Sequence, residues 1–403
     1  MSKRTKVDYL KYTQIIKNIY GELMISKLSG NIGLHAGMSG IALFIAYYDR
    51  IIHQKKGISQ RVMEILEHNI ECIDSGYRKY TICNGISGFG WLCEHLKKLK
   101  MLDREDIEFL DDFDPLLHKQ MINDIKEGNY DYLHGALGVG TYFLSRFDKK
   151  KVAGYINDLL AELENSSIHC KNGAVKWVSV INHETDEKGY NISLSHGISS
   201  IAAFLIRLHQ LSFETERVDK LLIRTIIYIL DQITYTERSI SYFPSCSKES
   251  SPGNNYSRLG WCYGDLGIAC VLWRAAIILK NEDWKNLAIQ ILLHNCNRRD
   301  LHENNINDAG LCHGSAGISH IFWTLYLKTG IEEFKKTTEY WLGVTMQMAK
   351  CNDGSTGFKA WRHEELGGPV KLESLLEGVA GIGLVLLSQK SNKTAWDECL
   401  MLS

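Results

Sequence analysis

The stretch GSAGI, Gly314–Ile318, is one of seven copies of a pattern that recurs along this 403-residue chain. The pattern is glycine–x–x–glycine followed by an apolar residue, and only the fourth copy departs from it, with Ser200 for the second glycine. The other copies read GMSGI from Gly37, GISGF from Gly85, GALGV from Gly135, GISSI from Gly197, GDLGI from Gly264 and GVAGI from Gly378. Self-similarity at a nearly regular spacing indicates a repeat protein.

The residues after each pattern predict a helix. Counting from the first glycine, positions +4, +7 and +8 are apolar in all seven copies, as in Ile318, Ile321 and Phe322. Apolar residues spaced by three and four lie on one face of an α-helix. Each pattern therefore begins a helix, and we expect its small residues to let neighbouring helices approach closely.

A second amphipathic stretch lies between successive patterns, as in VMEILEHNI from Val62, LLIRTIIYIL from Leu221 and WKNLAIQILL from Trp284. Seven such pairs give about fourteen helices, and the scarcity of proline (4 residues) fits long helices. An open solenoid needs polar end repeats, whereas the first and last copies are as apolar as the others. We predict an all-α fold, an α/α toroid of seven helical hairpins, as a single domain over 1–403.

Composition excludes several classes of protein. A net charge of -1 gives no reason to expect nucleic acid as a partner. The N-terminal residues lack the apolar core of a signal peptide, and no run of about 18 apolar residues predicts a membrane span. The 11 cysteines form no CxxC pair, so reduced cysteines in a cytoplasmic protein are the better interpretation.

Three intervals between patterns are longer than the others, and the additional residues precede the next pattern. These inserts lie near Lys171–Ser193, Thr236–Arg258 and Asn352–Lys371. The stretch AVKWVSVI within the first predicts short strands. All three precede inner helices, so a toroid would gather them at one end, and loops on one face of a rigid scaffold usually carry function.

The residue before the first glycine is polar or reactive in six copies, and in the first copy His35 lies one step earlier. The six are Asn84, His134, His196, Tyr263, His313 and Glu377. We expect them at helix N-caps, all at one end of the ring. Ser, Thr, Asp and Asn are the usual caps, so three histidines and a tyrosine indicate chemistry in addition to capping.

Two neighbouring copies place cysteines at equivalent positions, Cys262 in WCYGDLG and Cys312 in LCHGSAG. With His313 they would form a three-ligand site with an open fourth position, which is typical of catalytic zinc. Thiolate ligands favour zinc over magnesium or calcium. The alternative is that both cysteines are small core residues, as we expect for Cys72, Cys83, Cys93, Cys270 and Cys296.

His196 in LSHGISS is the best candidate for an acid–base group, because histidine titrates near neutral pH. The alternative is a buried, hydrogen-bonded residue at the helix start. Asp131 and Arg258, taken alone, have the character of ordinary surface charges.

Four segments together resemble the lanthionine synthetase C family of lanthipeptide cyclases: WCYG from Trp261, CHGSAG from Cys312, LSHG from Leu194 and LLEGVAGIG from Leu375. The resemblance extends from about Gly33 to Leu387 and includes all seven repeats. It implies an α/α toroid with a central zinc. The residues carried over are the zinc ligands Cys262, Cys312 and His313, the catalytic His196, and the accompanying Asp131, Arg258 and Tyr263.

The implied reaction adds a peptide cysteine thiol to a dehydroalanine or dehydrobutyrine of the same peptide, which forms a lanthionine or methyllanthionine ring. The implied partners are a dehydrated lanthipeptide precursor with its leader peptide, and a separate dehydratase and exporter at the inner face of the membrane. His134 stands where some relatives carry an acidic residue, and its role stays open.

Three other functions remain to be weighed. A related enzyme would add glutathione to dehydroamino acids at the same zinc site. A toroidal glycosidase would need two carboxylates about 5–10 Å apart, for which Glu377 and Asp131 are a weak case. A non-catalytic helical scaffold would bind peptides without a metal.

Overall fold

The computed structural model describes residues 9–148, 150–182, 185, 187–350 and 356–403. Fourteen α-helices and four short strands lie in these ranges. The helices are α1 Tyr9–Met24, α2 Met38–Ile51, α3 Gln60–Asp74, α4 Ile86–Lys98, α5 Leu110–Lys126, α6 Ala136–Ser145, α7 Lys150–Asn165, α8 Ile198–Gln210, α9 Thr215–Asp231, α10 Asp265–Ile278, α11 Glu282–Asn295, α12 Ser315–Thr329, α13 Glu332–Met348 and α14 Val379–Ser391. The prediction of an all-α fold with helices at every glycine pattern is confirmed.

The seven helices that follow the glycine patterns are the even-numbered ones, and they form the buried layer. In α6, for example, every residue from Ala136 to Leu144 is buried. The odd-numbered helices bury one face only, as α7 does through Val152, Ile156, Leu159, Leu160 and Leu163. Helices that are apolar all round belong inside, and amphipathic ones cover them.

The glycines of the pattern are required mainly by the loop that precedes each helix. A Cβ on the first glycine would lie 2.4 Å from the carbonyl oxygen of Asn31 at Gly37, and 2.2 Å from that of Arg258 at Gly264. A Cβ on the second glycine would meet the carbonyl oxygen three residues before the pattern, at 2.2 Å for Gly138. The sequence led us to expect close approach between neighbouring helices. Gly40 instead lies close to its own loop and to the side chain of Leu375, which is in the loop before α14.

The chain divides into two compact units. The first contains the described parts of 1–79, 83–107 and 300–396, and within it the inner helices pack in the order α12, α14, α2, α4. The second contains 80–82, 108–299 and 397–403, with inner helices in the order α6, α8, α10. In the first unit the last repeat therefore packs against the first, and the backbone N–H of Leu376 donates to the carbonyl oxygen of His35 at 3.0 Å.

The predicted strands occur in and beside the first insert. Strands β1 (Ile168–His169) and β2 (Val175–Lys176) pair antiparallel, as do β3 (Ser179–Asn182) and β4 (Glu187–Gly189). The third insert contains an isolated antiparallel bridge between Ala360 and Val370, and its start at Asn352 lies outside the described residues.

Candidate metal and acid–base site

The loops before the inner helices are joined by a repeated backbone contact. The residue two before the first glycine of one copy donates its N–H to the carbonyl oxygen at the same position of the neighbouring copy. The donor–acceptor pairs are His35 to Cys83 at 3.2 Å, Ser195 to Cys262 at 3.3 Å, Cys312 to Leu376 at 2.9 Å and Leu376 to His35 at 3.0 Å. Within each unit, this contact holds the polar and reactive side chains of neighbouring copies in a row at the starts of the inner helices.

The expectation that these residues are N-caps is wrong by one position. The N-cap of every inner helix is the first glycine itself, with no side-chain capping bond. Helix N-termini leave backbone N–H groups without intrahelical partners, and in six of the copies a carbonyl six residues before the glycine accepts one of them. The N–H of Ile198, for example, donates to the carbonyl oxygen of Asn191 at 2.8 Å. The side chain before the glycine is thus released from capping.

Asp131 and His196 form a short, partly buried pair. The Nδ1 of His196 lies 2.6 Å from Oδ2 of Asp131, and the side chains are 28% and 16% exposed. The backbone N–H of His134 donates to Oδ1 of the same carboxylate at 2.8 Å. Since Nδ1 faces Asp131, Nε2 is the ring nitrogen left to exchange a proton with a bound molecule.

The pair shifts the pKa of each member. Burial alone would lower the pKa of His196, but the hydrogen bond and negative charge of Asp131 outweigh it, so this pKa is raised. Burial would likewise raise the pKa of Asp131, yet the hydrogen bond and positive charge of His196 lower it. The arrangement therefore favours the imidazolium form of His196 near neutral pH.

Tyr263 lies beside His196, with ring centroids 5.8 Å apart. Its hydroxyl accepts a hydrogen bond from Nδ2 of Asn191 at 3.3 Å, and burial raises the pKa of Tyr263 to about 12. The phenol therefore stays protonated and can act as a hydrogen-bond donor. Arg258 is half-buried at the start of the same loop.

The backbone around Cys262 is held by the neighbouring copy and by an unusual glycine. Its carbonyl oxygen accepts hydrogen bonds from the N–H groups of Leu194 and Ser195 and from the hydroxyl of Ser195. Gly264 alone among the first glycines of the pattern has a positive φ, at 89°, whereas that of Gly37 is -126°. The carbonyl of Arg258 also lies against Gly264, as that of Asn31 does at Gly37, so both the backbone conformation and the space at this position favour glycine in the loop that carries Cys262.

We expect Gly264→Ala to destabilise the protein by about 1–3 kcal/mol from the positive φ alone, with the clash at the Arg258 carbonyl adding to this cost. The matched control is Gly154→Ala in the exposed middle of α7, where a Cβ meets nothing within 4 Å. That change should stabilise the protein by about 0.5–1 kcal/mol. Denaturant unfolding measures both, and equal effects of the two substitutions would contradict this account of Gly264.

Cys312 and His313 occupy the same loop position in the sixth copy, and both are half-buried. One ligand atom each from Cys262, Cys312 and His313, two sulfurs and a ring nitrogen, lie within 4.8 Å of one another. Two thiols and one imidazole are a donor set that suits zinc, and three protein ligands leave a fourth position open. The residues present therefore fit a metal ion of this kind.

A further set of polar residues lies six positions before the first glycine and was not predicted from the sequence. The side-chain oxygens of Asn31, Asn191 and Asp308 accept the backbone N–H two residues on, at 3.1, 2.9 and 2.8 Å. These turns give each loop its shape, and Asn191 also contacts Tyr263. The recurrence of Asn or Asp at this position was a signal available in the sequence.

Fold and site together define a class of protein. It is a helical repeat protein with a thiol–imidazole cluster and an Asp–His pair at the starts of its inner helices. The family model of the lanthionine synthetase C-like proteins matches residues 29–401. The chain belongs to this family.

Among solved structures, the chain is similar to nisin cyclase, with 19% identity, a TM-score of 0.72, and coverage of 98% of this chain and 97% of that one. This likeness confirms the predicted α/α-toroid fold class. Two sugar epimerases, one from a ruminal bacterium and the cellobiose 2-epimerase of Bacillus thermoamylovorans, match at 11% and 12% identity. Each has a TM-score of 0.45, with coverage of 96% and 95% of this chain and of 98% and 99% of those chains. No curated protein matches this chain.

The described part of the chain contains no helix with the length and apolar character needed to cross a membrane.

Proposed function

We propose that this protein is a zinc-dependent lanthipeptide cyclase. It adds cysteine thiols of a dehydrated peptide to dehydroalanine or dehydrobutyrine residues of the same peptide and so forms thioether rings. The observation that carries the proposal is the grouping of Cys262, Cys312 and His313 in a member of the lanthionine synthetase C-like family. The Asp131–His196 pair supplies the acid–base function that such an addition needs.

Cys262, Cys312 and His313 would hold the zinc ion. When bound there, zinc supplies a positive charge and an open position that lower the pKa of a substrate thiol from its usual ~8.5 and fix its sulfur. The protein's part is to keep both thiol ligands ionised and in place. The backbone bonds from Ser195 to Cys262 and from Cys312 to Leu376 serve this purpose, because they fix the main chain that carries each sulfur.

His196 is our candidate for the proton donor. Addition of sulfur to the alkene carbon leaves an enolate, and the adjacent α-carbon must then take up a proton. The substrate thiol loses one proton and the α-carbon gains one, so the reaction needs no other reactant. His196 can deliver this proton from Nε2 while Asp131 holds Nδ1 and keeps the ring charged.

Arg258 and Tyr263 have roles that depend on the developing enolate. A guanidinium or a phenol close to the enolate oxygen would stabilise its negative charge. The raised pKa of Tyr263 keeps its O–H available as a donor, and Arg258 would alternatively position the peptide. The proposed partners are the dehydrated precursor with its leader peptide, a separate dehydratase and an exporter, with the protein at the inner face of the membrane.

A single incubation tests the proposal. The protein is mixed with zinc and a dehydrated Ser/Thr/Cys-rich peptide, with and without glutathione, and the product is treated with a thiol-alkylating reagent. Cyclisation leaves the peptide mass unchanged and removes its reactive thiols. A product enlarged by glutathione would favour the related thiol-transfer activity, and binding without either change would indicate a peptide scaffold.

Asp131→Asn tests the acid–base assignment. The amide retains the shape of the carboxylate but removes the charge that raises the pKa of His196. A step that needs the imidazolium slows as pH rises through this pKa, so in the variant the decline should begin at a lower pH. The measurement is the pH dependence of kcat for ring closure. A profile with an unchanged alkaline limb would contradict the assignment.

A further inference from the structure

The side chains three residues before each glycine pattern are all buried, and only two of them have a polar tip. The seven are Leu34, Ile82, Tyr132, Leu194, Trp261, Leu311 and Leu375. The two exceptions belong to the third and fifth copies, on either side of the copy that carries His196. Buried Tyr and Trp side chains normally need a hydrogen-bond acceptor for the O–H or N–H.

Tyr132 and Trp261 find their acceptors on one short segment, Asp397–Ser403. The hydroxyl of Tyr132 donates to the carbonyl oxygen of Cys399, and Nε1 of Trp261 donates to that of Leu400 at 2.8 Å. The two rings also meet edge to face, with centroids 6.4 Å apart. Cys399 and Leu400 are 0% and 1% exposed, so loss of either donor leaves a buried carbonyl without this partner.

Each of the two aromatic residues is the chain neighbour of a proposed site residue. Asp131 precedes Tyr132, and Cys262 follows Trp261. The main chain of Tyr132 and of Trp261 is tightly confined by a glycine of the following helix. A Cβ on Gly138 would lie 2.2 Å from the carbonyl oxygen of Tyr132, and one on Gly267 would lie 2.5 Å from that of Trp261. Displacement of either ring would therefore strain the backbone that carries the neighbouring site residue.

We infer that Tyr132 and Trp261 are positioning residues. Their hydrogen bonds to the segment Asp397–Ser403 fix the positions of the Asp131–His196 pair and of Cys262. The inference deepens the proposed function and rests on it for its catalytic consequence. The segment ties the third copy to the fifth, and the fourth copy, with His196, is bonded to the fifth through Leu194 and Ser195. Arg274 holds the same segment independently, with Nη1 2.6 Å from the carbonyl oxygen of Met401, so loss of one aromatic donor leaves it anchored.

The test uses Tyr132→Phe, which removes only the hydroxyl donor, and Trp261→Phe, which removes the N–H donor together with part of the buried indole ring system. Matched controls are Trp177→Phe, which loses an equally buried bond of 2.8 Å to the carbonyl of Leu163, and Tyr142→Phe, which loses a buried bond of 2.7 Å to Asp114. We expect kcat for ring closure to fall by about 10- to 100-fold in the first pair, with KM within about twofold. The controls should lose thermal stability and retain kcat.

Backbone hydrogen exchange of the full chain gives a second readout that needs no turnover. Exchange in Asp131–His134 and in Leu259–Tyr263 should accelerate in the first pair of variants and stay unchanged in the controls. Equal falls in kcat for variants and controls, or unaltered exchange in both loops, would overturn the inference. If the unmodified protein forms no rings, the proposed function fails separately, and the exchange measurement alone then decides whether these residues position the loops.

Discussion

Cys312→Ala should release zinc from the protein and abolish ring formation. The backbone N–H of Cys312 donates to the carbonyl oxygen of Leu376 in the neighbouring repeat, so its sulfur is held by a fixed main chain. Loss of a thiolate leaves two protein ligands, which is below the three of a catalytic zinc site. The affinity for zinc should fall by more than the roughly 10- to 100-fold that is lost when a hydrogen-bond partner of a zinc ligand is removed. Elemental analysis after dialysis, together with the ring-closure assay, measures both consequences.

Cys170→Ala is the matched control for this experiment. Cys170 is half-buried like Cys312, and it lies in the turn between β1 and β2. The change removes one thiol and should leave zinc content and ring closure as they are. A Cys312→Ala protein that still closes rings without zinc would end the proposed mechanism, and one that retains zinc in full would remove Cys312 from the ligand set.

The fold followed from the sequence because its two signals are local and repeated. The +4, +7 and +8 positions after each glycine and the amphipathic stretches between patterns each predict a helix, and α3, α9 and α11 lie where those stretches placed them. The sequence did not show why glycine is required at these positions. A glycine required by contact with the carbonyl of Asn31 in its own loop has the same appearance in a sequence as one required by contact with a neighbouring repeat, as at Leu375.

The residues of the candidate site could be picked out in the sequence, whereas their geometry could not. The two cysteines occupy equivalent repeat positions and His196 lies one position later in its own copy, so their common location could be inferred. The shift of the cap from His196 to Gly197 depends on a backbone bond between Ile198 and Asn191, which the pattern of residue types does not encode. Likewise, the positive φ of Gly264 distinguishes one glycine among seven that are identical in sequence.

His196→Asn should reduce kcat by about 10²- to 10⁴-fold, the range typical of losing a general acid, and should leave zinc content unchanged. Asparagine can still donate a hydrogen bond to Asp131, so the local loop is preserved while the titrating group is lost. Because no zinc ligand is altered, the substrate thiol would still be bound and ionised. The step that should slow is proton delivery to the α-carbon.

The chain provides a close control in His209→Asn. His209 lies at the other end of α8, and its Nδ1 is 2.6 Å from Oδ1 of Asp219, the same separation as in the His196–Asp131 pair. The side-chain exposures are also similar, at 23% for His209 and 28% for His196. If the effect at His196 came only from breaking a His–Asp contact, both substitutions would cost the same activity. We expect His209→Asn to retain wild-type kcat. In D₂O the α-carbon takes up deuterium, and this transfer should limit the rate only in His196→Asn.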